Sequence, residues 1–320
     1  MVGLIVLAVA FILVMVLSTG VMVSVVEEWA SKLKNKKIFL ATVILALVGA
    51  APEMAIAISS AVSGIPLVGL GNAIGANLAN LGLVVAGLVV FVGVIPVVGE
   101  YANKILWLTV FLAVLPFILF MDGDLTRFDG VALLFGYLVY LYFVIKTNKI
   151  ELKQAKLHKH KTIEKDIVPM RIASVIMFVL GGATLLVCST FLIRLVSNVA
   201  VNLGVSSFWI GLVFISLATT LPELLIGVWN HKKISSLITV EKLLGSIITN
   251  STLVIGTLAL ISPMTLGNTL SKEISGIFLI FIFGLFWLFT KSKRKLERWE
   301  GVVMLGVYLM FLGLQMLFTR

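Results

Sequence analysis

Residues 38–62 read IFLATVILALVGAAPEMAIAISSAV, an apolar run with a single charge, Glu53, placed directly after Pro52. A second run, Phe208–Trp229, reads FWIGLVFISLATTLPELLIGVW and carries Glu223 directly after Pro222. A carboxylate at bilayer depth costs on the order of 3 kcal/mol even on lenient insertion scales, so such groups are rarely ornamental. Two of them in matching contexts point to a shared site for something positively charged.

The rest of the chain has the composition this requires. Of 320 residues, 60% are hydrophobic, and mean hydropathy is +1.15. Apolar stretches long enough to cross a bilayer follow one another between short polar breaks. They predict an all-α polytopic membrane protein with ten transmembrane helices. The expected spans are Val2–Val26, Ile38–Val62, Val68–Ile95, Lys104–Phe120, Asp129–Ile145, Pro169–Ser197, Ser206–Trp229, Leu237–Ile261, Leu270–Thr290 and Gly301–Phe318. The first has no basic residue before it and no small-residue cleavage site, so it reads as a retained helix rather than a signal peptide.

The formal charge of +10 follows topology rather than nucleic-acid binding. Lys32, Lys34, Lys36 and Lys37 fill the first loop, eight basic residues lie from Lys146 to Arg171, and five from Lys291 to Arg298. With Lys104, Lys232 and Lys233 they make 20 on one face, against Arg127, Arg194, Lys272 and Arg320 on the other. That asymmetry predicts a cell-membrane protein with cytoplasmic basic loops and both termini outside. Attraction to anionic lipid is an adequate further role for the charge. The lone Cys188 excludes an internal disulfide.

An internal repeat organises the chain. Glu53 and Asn80 are separated as Glu223 and Asn250 are, and Pro52 and Gly75 as Pro222 and Gly245 are, so one offset of 170 superposes both pairs. Phe128-Asp129-Gly130-Val131 likewise resembles Trp299-Glu300-Gly301-Val302. The halves are expected at 1–146 and 169–320, joined by a polar cytoplasmic connector at 147–168. Five spans per half is an odd number, so the second half enters from the opposite side and the repeat is inverted.

Each proline removes a backbone N–H and leaves the carbonyl four residues earlier, Val48 or Ala218, without that partner. Irregular backbone at membrane depth survives where it lines a cavity or is buried in protein. Carboxylate and carbonyl oxygen together suit a hard cation such as Ca²⁺ or Na⁺. Asn80 and Asn250 add amide oxygens, and Thr219, Thr220 and Ser246 add hydroxyls, although small hydroxyls also serve simply to pack or to bond back to a helix carbonyl. Two carboxylates neutralise one divalent ion, which favours Ca²⁺ exchanged against monovalent ions.

Gly69-Leu70-Gly71-Asn72-Ala73-Ile74-Gly75-Ala76-Asn77 and Thr219-Thr220-Leu221-Pro222-Glu223 resemble the signature repeats of the cation/calcium exchanger superfamily, especially its sodium/calcium exchanger branch. The resemblance spans the whole plan and is sharp over 46–82 and 216–252. It implies two inverted halves of five helices, a site built by spans two, three, seven and eight, and alternating access by sliding of spans one and six. Carried over by position, the implied ligands are Glu53, Asn80, Thr219, Thr220, Glu223, Ser246 and Asn250, with Glu53 and Glu223 holding the metal ion. No cofactor is expected, only the transported ions, Ca²⁺ and Na⁺ or H⁺.

The chain also departs from the pattern. Gly49-Ala50-Ala51-Pro52-Glu53 lacks the hydroxyls expected before the proline, Ala76 stands for Ser, Asn250 for an Asp common in exchangers, and Glu241-Lys242 for Gly-Asn. One flanking Na⁺ site is therefore expected to be weakened or gone. Lys242 shares a face with Ser246 and Asn250, and is read either as a tethered cation modulating the site or a partner of Glu223, or else as a local partner of Glu241 or a side chain snorkelling to the cytoplasmic surface. Proton-coupled exchange is the nearest rival, and a degenerate member that binds ions without moving them is another. An intramembrane enzyme lacks its parts: His158, His160 and His231 fall in loops, as does Asp166, while Asp122, Asp124 and Asp129 lie at span ends or in loops.

Overall fold

The computed structural model describes residues 2–31, 44, 46–96, 100–157, 172–230, 236–265, 270–293 and 295–317. The helices are α1 (Val2–Ser31), α2 (Ala51–Val62), α3 (Pro66–Val92), α4 (Glu100–Leu119), α5 (Arg127–Leu157), α6 (Ile172–Leu203), α7 (207–230), α8 (236–261), α9 (Leu270–Lys293) and α10 (Arg298–Leu317). Among the described residues, eight stretches, in α1, α3 and α5 through α10, are long and apolar enough to cross a membrane. Two apolar helices are shorter, Ala51–Val62 and Leu106–Asp122. The lysines of the first loop, the beginning of the second apolar run and all three histidines lie outside the described residues.

Burial ranks the helices. In α3 and α8 the most apolar windows are 83% and 78% buried, against 11% in α1. A helix apolar all round and buried all round belongs at the centre, and one left open at this composition faces lipid. The small residues of α3 make its central place workable. A Cβ on Gly69 would run into Ser60 of α2, one on Gly82 would meet Tyr308 of α10, and ones on Gly71 and Gly75 would strike backbone oxygens of Phe208 and Leu212 in α7. Gly211 of α7 returns the contact against Val68 O and Asn72 N of α3. Close approach of small residues is the usual means of helix association where hydrophobic burial gives no drive.

Contacts recur between the two halves. Gly130 of α5 abuts Gly256 O and Ala259 of α8, and Gly301 of α10 abuts Ala86 O and Val89 of α3. The acid before each of those glycines closes a helix start: Asp129 Oδ2 accepts from Thr126 N at 2.8 Å, and Glu300 Oε2 from Glu297 N at 2.8 Å. Such caps satisfy N–H groups that the helix itself leaves open. Two short antiparallel ribbons join distant parts of the chain, β1 (Ile95–Pro96) with β4 (Lys295–Leu296) and β2 (Asp124–Leu125) with β3 (Met264–Thr265).

Three local features differ from expectation. Helix α5 continues into the polar connector as far as Leu157; Lys149, Glu151, Lys153, Gln154 and Ala155 are all strong helix formers. The two prolines behave differently. Ala50 interrupts the chain and Pro52 stands in the first turn of α2, where its missing N–H costs nothing, whereas Pro222 sits inside α7 without a break. Third, α-helical geometry gives way to π-helical turns at Asn80–Val85, Gly211–Ile215 and Asn250–Val254.

Candidate cation-binding site

Helices α2, α3, α7 and α8 carry the residues singled out above. Glu53 lies in the first turn of α2 and is 6% exposed. Glu223 lies one residue past Pro222 in α7 and is half-buried. Asn80 and Asn250 each open a π-helical turn, in α3 and α8, and both are buried. A π-turn widens the helix by one residue and redirects the side chains around it, and such turns cluster at functional sites.

Amide chemistry at these positions calls for an occupant. Asn80 Oδ1, and both Oδ1 and Nδ2 of Asn250, are buried with no hydrogen-bond partner among the described residues. Each such atom costs about 1–3 kcal/mol if nothing meets it. The oxygens suit a cation; the Asn250 amide nitrogen, a donor, suits water or a carboxylate instead. Two asparagines for which no role was expected join them. Asn77 Nδ2 donates to Ser251 Oγ at 2.7 Å, linking α3 to the π-turn of α8, while its Oδ1 has no partner among the described residues. Asn72 is fully buried, and neither of its amide atoms has a hydrogen-bond partner among the described residues. The signal was present: three asparagines, 72, 77 and 80, within one apolar span are rare polar groups at depth.

The hydroxyls of the second half are held in fixed directions. Thr219 Oγ1 and Thr220 Oγ1 both donate to Ser216 O, at 3.1 and 2.7 Å. Ser216 Oγ in turn donates to Leu212 O. A hydroxyl committed as donor to a helix carbonyl keeps its lone pairs, so these bonds orient the oxygens as acceptors without using them up. Thr220 and Ser246 are buried and Thr219 is half-buried. At the equivalent places in the first half stand Ala46, Gly49, Ala50 and Ala76, without side-chain oxygen. The oxygen set is therefore lopsided. Lys242 lies in α8, one and two turns before Ser246 and Asn250, and its side chain is not among those described.

Elements are brought together by contacts, not by sequence proximity. Gly69 seats α3 on α2, Gly71, Gly75 and Gly211 seat α3 on α7, and the Asn77–Ser251 bond ties α3 to α8. Gly245, one residue before Ser246, faces Ala46 and the Tyr140 hydroxyl. Among the described residues no group of three or more His, Cys, Asp or Glu side chains gathers into a metal cluster. A site made from two carboxylates filled out by amide, hydroxyl and carbonyl oxygen would be of the hard-cation kind.

Comparison with known proteins agrees in family and in fold. The family model described as sodium/calcium exchanger protein matches residues 3–146 and 173–317. The putative antiporter CaxA of Alkalimonas amylolytica is 25% identical over 290 residues, covering 90% of each chain. Inner membrane protein YrbG of Escherichia coli is 25% identical over 269 residues, covering 82% of this chain and 81% of its own. Among solved structures, the H⁺/Ca²⁺ exchanger CAX superposes with a TM-score of 0.74 at 18% identity, over 99% of this chain and 84% of that one. The sodium-calcium exchanger NCX_Mj, soaked with 100 mM Na⁺ and 10 mM Sr²⁺, gives 0.66 at 22% identity, over 96% and 98%. The chain thus belongs to the sodium/calcium exchanger family of membrane antiporters, within the cation/calcium exchanger superfamily.

Proposed function

We propose that this protein is a secondary active antiporter that exchanges Ca²⁺ for Na⁺ by alternating access, and is not an enzyme. Its ions are held between Glu53 and Glu223, with Asn80, Asn250, Thr219, Thr220 and Ser246 completing the oxygen shell. The observation that carries the proposal is a set of buried asparagine oxygens with no hydrogen-bond partner among the described residues. They lie on helices adjoining those of Glu53, which is buried, and Glu223, which is half-buried. Two negative charges against one divalent cation leave the loaded site neutral, the cheapest state at low dielectric.

In the proposed topology ten spans form two inverted halves, 1–146 and 169–320, joined by the connector at 147–168. The recurrence of Gly130 and Gly301 contacts and of the Asp129 and Glu300 caps supports it. The basic loops face the cytoplasm of a cell-membrane protein, and both termini lie outside.

A proton-coupled version has its own support. The first half offers no hydroxyl before Pro52 and none at Ala76, so a flanking Na⁺ site loses its ligands there, while both glutamates can carry protons. Proteoliposomes loaded with Ca²⁺ and given Na⁺, K⁺ or H⁺ gradients separately decide between them. A Na⁺ gradient alone driving radiolabelled Ca²⁺ movement supports the first version, and a pH gradient alone the second. The Glu53→Gln/Glu223→Gln variant is expected to be inert under every gradient; parent-like flux in it refutes the site. Ca²⁺ binding by the parent without any driven flux would mark a binding protein that does not transport. A Lys242→Asn variant with unchanged transport and coupling would leave Lys242 as a surface-directed side chain.

A further inference from the structure

The two halves of the site are covered unequally, although the sequence makes them equivalents. On α2, Ala55 is 4% exposed, two residues past Glu53; its equivalent on α7, Leu225, is 67% exposed, two residues past Glu223. The cover on α2 is α6, which is held there by polar contacts. Ser189 Oγ of α6 lies 3.1 Å from Ala55 O and 3.0 Å from Leu186 O, as donor to either. A hydroxyl has one proton to give, so Ser59 of α2 is the donor in the 2.7 Å contact between Ser59 Oγ and Ser189 Oγ. Thr190 Oγ1, itself donating to Leu186 O, is a second acceptor for Ser59 at 3.2 Å. Ser59 and Ser189 are both buried.

At the equivalent place on the other side the described hydroxyl is engaged differently. Thr19 of α1 stands where Ser189 stands in α6, and its hydroxyl bonds back within its own helix, to Met15 O at 2.9 Å. Helices α1 and α6 are meanwhile joined to each other, by Phe11 stacked on Phe191 at 5.6 Å, Trp29 against Phe178 at 5.4 Å, and Gly181 admitting Met22. Helices α1 and α6 therefore pack as one unit, clasped to α2 through the hydroxyls of α6.

We propose that Ser59, Ser189 and Thr190 form a latch that closes the path to the site on the face opposite the basic loops, where α2 turns into α3. The path along α7, toward Leu225, is then the open one, and exchange requires the latch to break as α1 closes over α7. This rests on the antiporter reading, because a latch matters only if the pair must move. Hydroxyl contacts suit the task, since interhelical hydrogen bonds in membranes are modest and reversible. An equilibrium between two packings is biased by such differences in contact.

Cross-linking tests it directly. In a Cys188→Ser background, free of other cysteines, Ser59→Cys/Ser189→Cys is oxidised in proteoliposomes and Ca²⁺ exchange is measured before oxidation, after it, and after reductant. The expected result is a cross-link that lowers exchange at least tenfold and is fully reversed by reduction. A cross-linked protein exchanging at the reduced rate overturns the latch, as does failure of the two cysteines to join. Should the parent move no cation under any gradient, the antiporter reading fails by itself. The latch is then judged by a membrane-impermeant maleimide at Leu225→Cys, also in the Cys188→Ser background. Adding Ser59→Ala/Ser189→Ala is expected to slow labelling severalfold, and unchanged labelling overturns the latch.

Discussion

Gly211→Ala puts the crossing of α3 and α7 to the test. Gly211 begins the π-turn of α7 and rests on α3 so closely that a Cβ there would be driven into Val68 O and would lie 2.9 Å from Asn72 N. Separations under 3.0 Å are essentially never adopted by real Cβ atoms, and both neighbours are backbone, which cannot rotate away. The helices must part by about 1 Å, and overpacking of this kind costs about 1–3 kcal/mol. At about 2 °C per kcal/mol for a large domain, the melting temperature falls by about 2–6 °C. The functional loss is larger, because α3 carries Asn80 and α7 carries Glu223. Misplacing interacting groups by about 1 Å reduces rates on the order of a hundredfold. Thermal unfolding in detergent and Ca²⁺ exchange in proteoliposomes read the two effects. Gly284→Ala is the control, since a Cβ there meets nothing within 4 Å and the gain in helix propensity is the same. Gly211→Ala behaving like Gly284→Ala in both assays would refute the close crossing.

Other consequences are as direct. Asn77→Ala removes the bond to Ser251 Oγ and should lower stability by about 1–2 kcal/mol, with exchange falling further because α3 and α8 lose their tie; a variant equal to the parent in both denies the bridge a role. Asp129→Ala and Glu300→Ala each strip the cap from a helix start and should each cost about 1 kcal/mol; strongly unequal losses of melting temperature would speak against equivalent roles. Asn250→Asp adds a third carboxylate and should tighten Ca²⁺ binding by on the order of tenfold, since affinity follows ligand charge; a calcium titration showing weaker binding would place residue 250 away from the ion.

Much of this was legible in the chain because it rests on local chemistry. Apolar runs, the Pro-Glu pairs and the spacing to Asn80 and Asn250 need no knowledge of packing, and the acid-glycine pairs at 129–130 and 300–301 recur in contact as they do in sequence. What escaped notice depends on neighbours. Pro52 starts a helix and Pro222 lies within one because Ala50 breaks the chain, while the Thr219 and Thr220 hydroxyls bond within the helix that continues past them. π-Turns are chosen by the fit of one helix against others, so Asn80 and Asn250 gave no sign of opening them. Ser59 and Ser189 lie 130 residues apart, and nothing in either stretch marks the other as its partner. The polar connector concealed the end of α5, because its lysines and glutamate favour a helix in water as well as they mark a loop.

The account depends most on one ion being shared by Glu53 and Glu223, and Ca²⁺ binding across a double-mutant cycle measures this. Equilibrium binding of radiolabelled Ca²⁺ would be compared for the parent, Glu53→Gln, Glu223→Gln and the two together. A shared ion predicts that either single change removes nearly all the affinity that the pair removes, so the second adds little. Losses that simply add, or a double variant that binds as the parent does, would mean that the two carboxylates do not meet at a common ion.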